Sequence, residues 1–301
     1  MRTTRALFFV LLALCGPAVA QQAGDDSLKI YISADMEGVA GVVTDQQLGP
    51  DGFEYQRFRE FMTGEVNAAI DAAREAGATE ILVSDSHGNG QNLLIDKLGE
   101  DITVVRSWPR PLAMMDGIDE TFDAAMFIGY HASTDNTRGV RAHTMSSANV
   151  TGLRINGTAM SEGSLNAAIA GHFGVPVILI SGDDVAVAET QVIVGDIEGA
   201  VVKYARSFHS ARTLTPAAAR EVIYERALAA LRRLDDFKPY VLTPPLEVDL
   251  SLKNYRPVEL LAYLPNVERV NSHTLRYVAG DMPGVSHFLS VALDYRVDLK
   301  P

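Results

Sequence analysis

The chain has 301 residues, of which 47% are hydrophobic and 21% are charged, a composition typical of one large globular domain or two smaller ones. Its formal net charge is −12, which becomes −14 if an N-terminal segment carrying Arg2 and Arg5 is removed. So acidic a protein repels phosphate backbones, and nucleic acid is therefore not an expected partner.

The first twenty residues have the pattern of a secretory signal. Arg2 and Arg5 precede an apolar run at residues 6–14, and Ala18-Val19-Ala20 places small residues at the −3 and −1 positions. We expect cleavage after Ala20 and export to the periplasm or the medium. Stable membrane insertion is not expected, because the run is too short to span a bilayer.

The single cysteine, Cys15, lies inside this signal. A lipid anchor on Cys15 is the alternative interpretation, but the bulky Leu14 stands where such sites have a small residue. If the signal is removed, the mature chain has no thiol, which excludes disulfides and thiolate metal sites.

From Leu28 onward, apolar runs rich in β-branched residues alternate with helical patterns. This alternation predicts an α/β fold, with a mostly parallel sheet and flanking helices. The elements predicted up to residue 180 are strand 29–34, helix 53–76 between the N-cap Asp51 and Gly77, strands 80–84, 102–106 and 124–129, a hairpin at Asn156-Gly157, helix 161–173 and strand 176–180.

After about Val201 the pattern changes. We predict a helix from Thr215-Pro216 to Leu234, a strand at 246–252, a helix at 255–264, an extended segment at 273–278 and a helix at 284–293. The chain is accordingly divided into a signal peptide (1–20), an α/β metal-binding catalytic domain (28–205) and a smaller C-terminal α+β domain (206–301).

Acidic residues and histidines follow four of the predicted strands. In an open α/β sheet, ligands bind outside the carboxyl ends of the strands, so these side chains are expected at one edge. They are Asp35 and Glu37, Asp85 and His87, His131, and Asp183 with Asp184; Glu162 begins the helix after the hairpin.

A metal site explains this set best. Asp35 and Glu37 are two residues apart and point to the same side of an extended backbone, where they repel each other unless a cation lies between them. Carboxylates and imidazoles are ligands for borderline divalent metals. The candidate ligands are Asp35, Glu37, His87, His131 and Glu162, one more than a single tetrahedral ion takes, so a bridging carboxylate between two ions is predicted.

The alternative for each residue alone is a structural role. An acid after a strand is often a turn former or a helix cap, and a single histidine is more often a hydrogen-bonding residue than a ligand. The metal interpretation depends on their coincidence at one edge. Asp85, Asp183 and Asp184 are candidates for ligand support or for substrate contact.

Five motifs resemble the dinuclear zinc D-aminopeptidase family, also known as dipeptide transport proteins. They are SADMEG, SDSHG, GYHA, GVRAHTMS and SEGSLNA, in this order, followed by SGDD and a Val202-Lys203 pair. The resemblance extends over about residues 28–298.

The resemblance implies a role for individual positions. Asp35 would be the bridging ligand, with Glu37 and His87 on one zinc, and with His131 and Glu162 on the other. His143, in GVRAHTM, would be the catalytic residue that the family treats as its nucleophile, although an imidazole is more commonly a general acid or base.

The function expected is a metal-dependent aminopeptidase, with Zn²⁺ as cofactor and Mn²⁺, Co²⁺ or Ni²⁺ as possible substitutes. The preference for N-terminal D-residues, as in D-Ala-D-Ala, and a homo-oligomer, such as a decameric ring, are implied by the resemblance alone.

Two alternatives stay open. A two-metal phosphoesterase would need basic residues at the site, and only Arg138 and Arg141 are near in sequence; an exported peptide-binding protein would bind a small peptide without cleaving it.

Overall fold

The computed structural model describes residues 27–295, so the expected signal peptide and Cys15 lie outside the described part of the chain. The strands are β1 (Leu28–Ala34), β2 (Ala78–Asp85), β3 (Thr103–Val105), β4 (Ala124–Tyr130), β5 (Val150–Ile155), β6 (Thr158–Ala159), β7 (Val177–Asp183), β8 (Glu198–Ser207), β9 (Ser210–Thr213), β10 (Leu246–Leu252), β11 (Val267–Arg269) and β12 (Thr274–Ala279). The helices are α1 (Tyr55–Glu75), α2 (Glu162–His172), α3 (Asp184–Val194), α4 (Pro216–Leu231), α5 (Tyr255–Leu261) and α6 (Met282–Asp294). Within residues 27–295, none of these helices combines the length and apolarity that a membrane crossing requires.

The larger sheet has the strand order β3-β2-β1-β4-β7-β8-β9. Every pair in it is parallel except β8 with β9. β4 and β7 are buried along their whole length, as expected for strands covered on both faces. The predicted α/β class with a mostly parallel sheet and flanking helices is confirmed.

The chain reverses direction in this sheet at β1 and β4. From β1 it continues to β2 and β3 on one side, and from β4 to β7 and β8 on the other. Right-handed crossovers that run in opposite directions place their helices on opposite faces, which opens a crevice between the two strands at their carboxyl ends. Asp35 follows β1 and His131 follows β4, so both lie at this crevice.

The smaller sheet is antiparallel, with the order β11-β12-β10-β5-β6. Strands β5 and β6 belong to the segment before residue 205, whereas β9 and α4, after that residue, pack with the larger sheet. Each sheet therefore draws residues from both sides of the predicted boundary at 205–206, and the division into domains stays a prediction.

Most predicted elements are present, with ends shifted by a few residues. The hairpin turn is confirmed, since Asn156 (φ 49°) and Gly157 (φ 80°) both adopt the left-handed conformation that its tight turn requires. Helix α1 begins at Tyr55, and Glu54 is its N-cap in place of the predicted Asp51.

Helix α3 was not predicted. Its sequence, DVAVAETQVIV, is rich in β-branched residues with low helix propensity. The helix forms because Asp183 accepts hydrogen bonds from the N–H groups of Val185 and Ala186, and because one face packs on β7 and β8.

Candidate metal centre

Five predicted ligands meet at the crevice between β1 and β4. Glu37 follows β1 with Asp35, His87 follows β2, and Glu162 is the first residue of α2. All five candidate ligand residues are buried, none more than 7% exposed. A cluster of charged groups so removed from water is costly unless the charges are paired or bound to a cation.

Close backbone contacts bring the two strand ends together. The N–H of Asp35 donates to the carbonyl of Ile128 at 2.8 Å, and that of Gly38 donates to the carbonyl of Gly129 at 2.7 Å. Gly129 has φ +77°, and a Cβ there would lie 2.2 Å from the carbonyl oxygen of Asp35. Glycine is therefore required for the loop after β1 to approach β4.

Asp35 lies between two imidazoles. Its Oδ1 is 3.2 Å from Nδ1 of His87, and its Oδ2 is 3.3 Å from Nε2 of His131. Each imidazole also faces a second carboxylate: His87 Nδ1 is 2.8 Å from Glu37 Oε2, and His131 Nε2 is 3.3 Å from Glu162 Oε2. We call Asp35, Glu37 and His87 the first half-site, and Asp35, His131 and Glu162 the second half-site.

Several buried atoms in this cluster make no hydrogen bond. Among the described residues, these include Asp35 Oδ2, Glu37 Oε2 and His131 Nε2. Two groups of candidate ligands each bring one atom per residue to within 4.8 Å of one another: Asp35, Glu37 and His131, and His131, His143 and Glu162. Oxygen and nitrogen atoms that lie close together without hydrogen bonds of their own fit divalent cations, and the donor types suit zinc.

The backbone orients each imidazole at the centre. His87 Nε2 is 2.7 Å from the carbonyl oxygen of Leu48, His131 Nδ1 is 3.0 Å from that of Ala132, and His143 Nδ1 is 2.8 Å from that of Arg141. A carbonyl only accepts, so each of these nitrogens carries the proton. The opposite nitrogen then faces the carboxylates, which is the usual support of a metal-binding histidine.

The charges of the cluster shift the pKa values of its members strongly. Burial opposes the protonated imidazole, but Glu37 and Asp35 raise the pKa of His87 well above its usual value, and Glu162 and Asp35 do the same for His131. Burial likewise opposes ionisation of Glu37, yet His87 holds the pKa of Glu37 well below its usual value. Burial and the charge of Glu37 raise the pKa of Asp35.

His143 faces both half-sites. Its ring stacks on that of His131, with centroids 4.0 Å apart and planes 9° apart. Its Nε2 lies 3.7 Å from Glu162 Oε1 and 4.0 Å from Glu37 Oε1. Although His143 lies in a loop, its N–H donates to the carbonyl of Ala132 at 3.0 Å, which ties this loop to the end of β4.

Comparison with known proteins agrees with this geometry. The family model Peptidase_M55, D-aminopeptidase, matches residues 28–291. A D-aminopeptidase of Bacillus subtilis (strain 168) is 36% identical over 261 residues, which cover 85% of this chain and 93% of the relative. The chain belongs to the D-aminopeptidase family. The resemblance inferred from the motifs is thereby confirmed at the level of the family, and with it a metal-dependent aminopeptidase.

A solved structure shows that this likeness extends to the fold of the D-aminopeptidase family. It is the Zn-dependent D-aminopeptidase DppA from Bacillus subtilis, a self-compartmentalizing protease. The two chains share 32% identity and superpose with a TM-score of 0.86, over 91% of this chain and 100% of DppA. The zinc dependence of that relative matches the donor set of the present cluster.

The three remaining candidates in this D-aminopeptidase family member bind the backbone. The Asp85 carboxylate accepts from the N–H groups of Asn92 and Leu93, at 2.6 and 2.7 Å. Asp183 caps α3, as described, and also accepts from the N–H of Val140 at 2.8 Å. Asp184 accepts from the N–H of Ala205 at 2.8 Å. None of the three lines the pocket at the metal centre, so their contacts support loops.

The candidate metal centre opens into a pocket of about 440 Å³. His143 and the first half-site line it together with Trp108, Met114 and the loop of residues 145–148. The Trp108 indole is held in place, since its N–H donates to the carbonyl of Gly88 at 2.8 Å and the Arg110 guanidinium stacks 3.6 Å from its ring centre. Apolar walls beside a polar floor suit a small organic substrate.

Two buried charged residues near the centre were not identified as functional from the sequence. Glu65 lies on the buried stripe of α1 with Phe58, Met62 and Ala69. A carboxylate at helical spacing within an apolar stripe is the signal that could have found it. Lys203 was noted only within the motif resemblance, and it is fully buried in β8.

Proposed function

We propose that the protein removes the N-terminal residue from short peptides, D-Ala-D-Ala among them, and that it binds two zinc ions per chain. One observation carries the proposal: the two oxygens of Asp35 face two separate imidazole–carboxylate pairs. A single ion could be bound by only one of these pairs, and the carboxylates of the other pair would stay buried without a metal cation. The names of the relatives support zinc as the metal and D-residues at the N-terminus.

Zinc ions bound at such a pair of sites supply Lewis acidity, which polarises a peptide carbonyl and makes water more acidic. The protein's own groups supply orientation and proton transfer. His143 is held by Arg141 and by its stack on His131, with Nε2 toward Glu37 and Glu162. We propose that this nitrogen transfers a proton to the amide that is cleaved.

The pocket lining favours a peptide over a phosphate ester. The described residues that line the pocket include Asp35, Glu37, Glu162 and Asp294 but no lysine or arginine. Arg141 instead pairs with Asp45 and stacks over the ring of Phe208. Cationic side chains commonly bind a phosphoryl group, whereas the ammonium of a free N-terminus suits an acidic lining.

The test is zinc content per chain together with hydrolysis of D-Ala-D-Ala, L-Ala-L-Ala and p-nitrophenyl phosphate, before and after chelation. We expect about two zinc ions, cleavage of the D-dipeptide and loss of cleavage without metal. Turnover of the phosphate ester alone would favour the phosphoesterase. Peptide binding that survives chelation, without release of an amino acid, would favour a binding protein.

The role of His143 is tested by His143→Ala, with His172→Ala at the end of α2 as the matched control. We expect kcat to fall about 10²-fold or more in His143→Ala, because proton transfer is lost, while zinc content stays unchanged. The control variant should keep normal turnover. Normal turnover in His143→Ala would remove the residue from the catalytic site.

We also propose that the protein is exported, because residues 1–20 have the features of a secretory signal. N-terminal sequencing of protein recovered from the periplasm or medium should begin at Gln21. Recovery of an uncleaved chain from the cytoplasm would contradict export, and a lipid on Cys15 would establish the anchored alternative.

Self-association, in a ring of about ten chains, is the last part of the proposal. The name of the DppA structure supports assembly, and the smaller sheet region exposes large apolar side chains at Tyr255, Leu260 and Tyr263. Such a concentration of apolar surface is typical of a protein interface. Light scattering after gel filtration should give the mass of the ring, and a monomer at micromolar concentration would refute it.

A further inference from the structure

A buried lysine donates hydrogen bonds to the loop that carries Glu37. Lys203 Nζ donates to the backbone carbonyls of Glu37, Val39 (3.1 Å) and Val42 (2.8 Å). An ammonium has three N–H donors, so these acceptors use its whole capacity. The three carbonyls, spread over residues 37–42, are thereby turned toward one point. We call residues 37–42 the Glu37 loop.

A buried glutamate contacts the same loop by accepting a hydrogen bond, where the lysine donates. Glu65 of α1 accepts from the N–H of Ala40 at 2.9 Å, while its second carboxylate oxygen is buried without a hydrogen-bond partner among the described residues. Glu65 is 1% exposed and Lys203 is fully buried. The two side chains make no direct ion pair, and both hydrogen-bond to the backbone of the Glu37 loop.

Packing does not explain these two charges. A methionine would fill the volume of Lys203, and a leucine or glutamine that of Glu65, without the cost of burying an ionised group. What the charged groups add is a defined path for a loop that lies outside any helix or strand.

The effect of these hydrogen bonds on metal affinity should differ between the half-sites. Glu37 belongs to the first half-site, and its Oε2 lies 2.8 Å from His87. The Glu162 carboxylate of the second half-site is held elsewhere, because its Oε1 accepts from the N–H of Met145 and its helix begins at the Ser161 cap. Lys203 and Glu65 make no hydrogen bond to the second half-site.

We propose that Lys203 and Glu65 are positioning residues, which hold Glu37 in place and so set the zinc affinity of the first half-site. The inference rests on the proposed function in one respect, that two ions bind per chain. It concerns the affinity of one ion and not the identity of the substrate.

The first experiment compares zinc affinity in the wild type and in Lys203→Met, by competition with a chromogenic chelator and by metal analysis after dialysis. Loss of outer support typically weakens metal binding by about 10- to 100-fold. We therefore expect one ion to bind about 10- to 100-fold more weakly and the other to stay within about threefold. Two ions bound with wild-type affinity, or both weakened equally, would overturn the proposal.

Single half-sites identify which ion is affected. His131→Gln leaves the first half-site, and His87→Gln leaves the second. Adding Lys203→Met should weaken the binding of the remaining ion in the His131→Gln protein. In the His87→Gln protein, it should leave the affinity for the remaining ion unchanged. The reverse pattern would refute the assignment of Lys203 to Glu37.

Glu65 provides a pair of variants that does not depend on whether Lys203→Met folds. Glu65→Gln keeps an oxygen that accepts from Ala40, so zinc affinity should stay within about threefold of the wild type, whereas Glu65→Leu removes the acceptor and should weaken the first half-site about tenfold. Equal affinities in the two variants would contradict the proposal. If the wild type binds two ions but does not cleave D-Ala-D-Ala, the proposed substrate is wrong, and these affinities still decide the role of the two residues.

Discussion

Loading zinc into metal-free protein at pH 7 should release about two protons per chain. The neighbouring carboxylates raise the pKa of His87 and of His131 well above the usual value, so we expect both imidazoles to be protonated at this pH before metal binds. A nitrogen that binds a metal must lose its proton. The raised pKa of Asp35 can only add to the number released.

The same linkage gives the pH dependence of zinc affinity. Each displaced proton changes the apparent binding constant about tenfold per pH unit, as long as the pH lies below the raised pKa of the imidazole. With two imidazoles, the overall constant for two ions should fall about 100-fold for each pH unit below neutrality. As the pH rises through the raised pKa values, this dependence should disappear.

Calorimetric titration in buffers with different ionisation enthalpies measures the protons released. His87→Gln should lower the number by about one, and His172→Gln, at the exposed end of α2, should leave it unchanged. Release of less than about half a proton from the wild type would show that both imidazoles are neutral before metal binds, and would refute the electrostatic account of the cluster.

Three substitutions test the support of the site. Gly129→Ala places a Cβ 2.2 Å from the Asp35 carbonyl at φ +77°, and should cost about 3 kcal/mol or more in urea unfolding together with the bound zinc; normal zinc content would contradict the close approach. Asp85→Asn can keep its oxygen toward the two backbone N–H groups, but its NH₂ then faces the donating Nδ2 of Asn92, and the substitution should lower the free energy of unfolding by about 2 kcal/mol. Asp183→Ala removes a helix cap, and should cost about 2 kcal/mol with unchanged zinc content. A rise in KM without loss of stability would instead place Asp183 at the substrate.

The sequence predicted the parallel sheet and the meeting of the ligands because both follow from local rules. Apolar runs rich in β-branched residues mark buried strands, and parallel strands in one sheet end at the same edge. Asp35, His87 and His131 each stand just after such a run, so their convergence could be predicted without coordinates. Helix α3 escaped prediction because its β-branched residues favour strands, and that preference is overridden by packing against β7 and β8 together with the Asp183 cap.

The tertiary structure alone decided which acids face the candidate metal centre. Asp183 and Glu37 look alike in sequence, each an acid near the end of a buried strand, yet Asp183 turns to cap α3 whereas Glu37 faces His87. The positions of Lys203 and Glu65 likewise depend on contacts across more than 100 and across 25 residues of chain, respectively. Local sequence determines where a side chain leaves the backbone, but which unpaired donor or charge it meets depends on segments that only folding brings together.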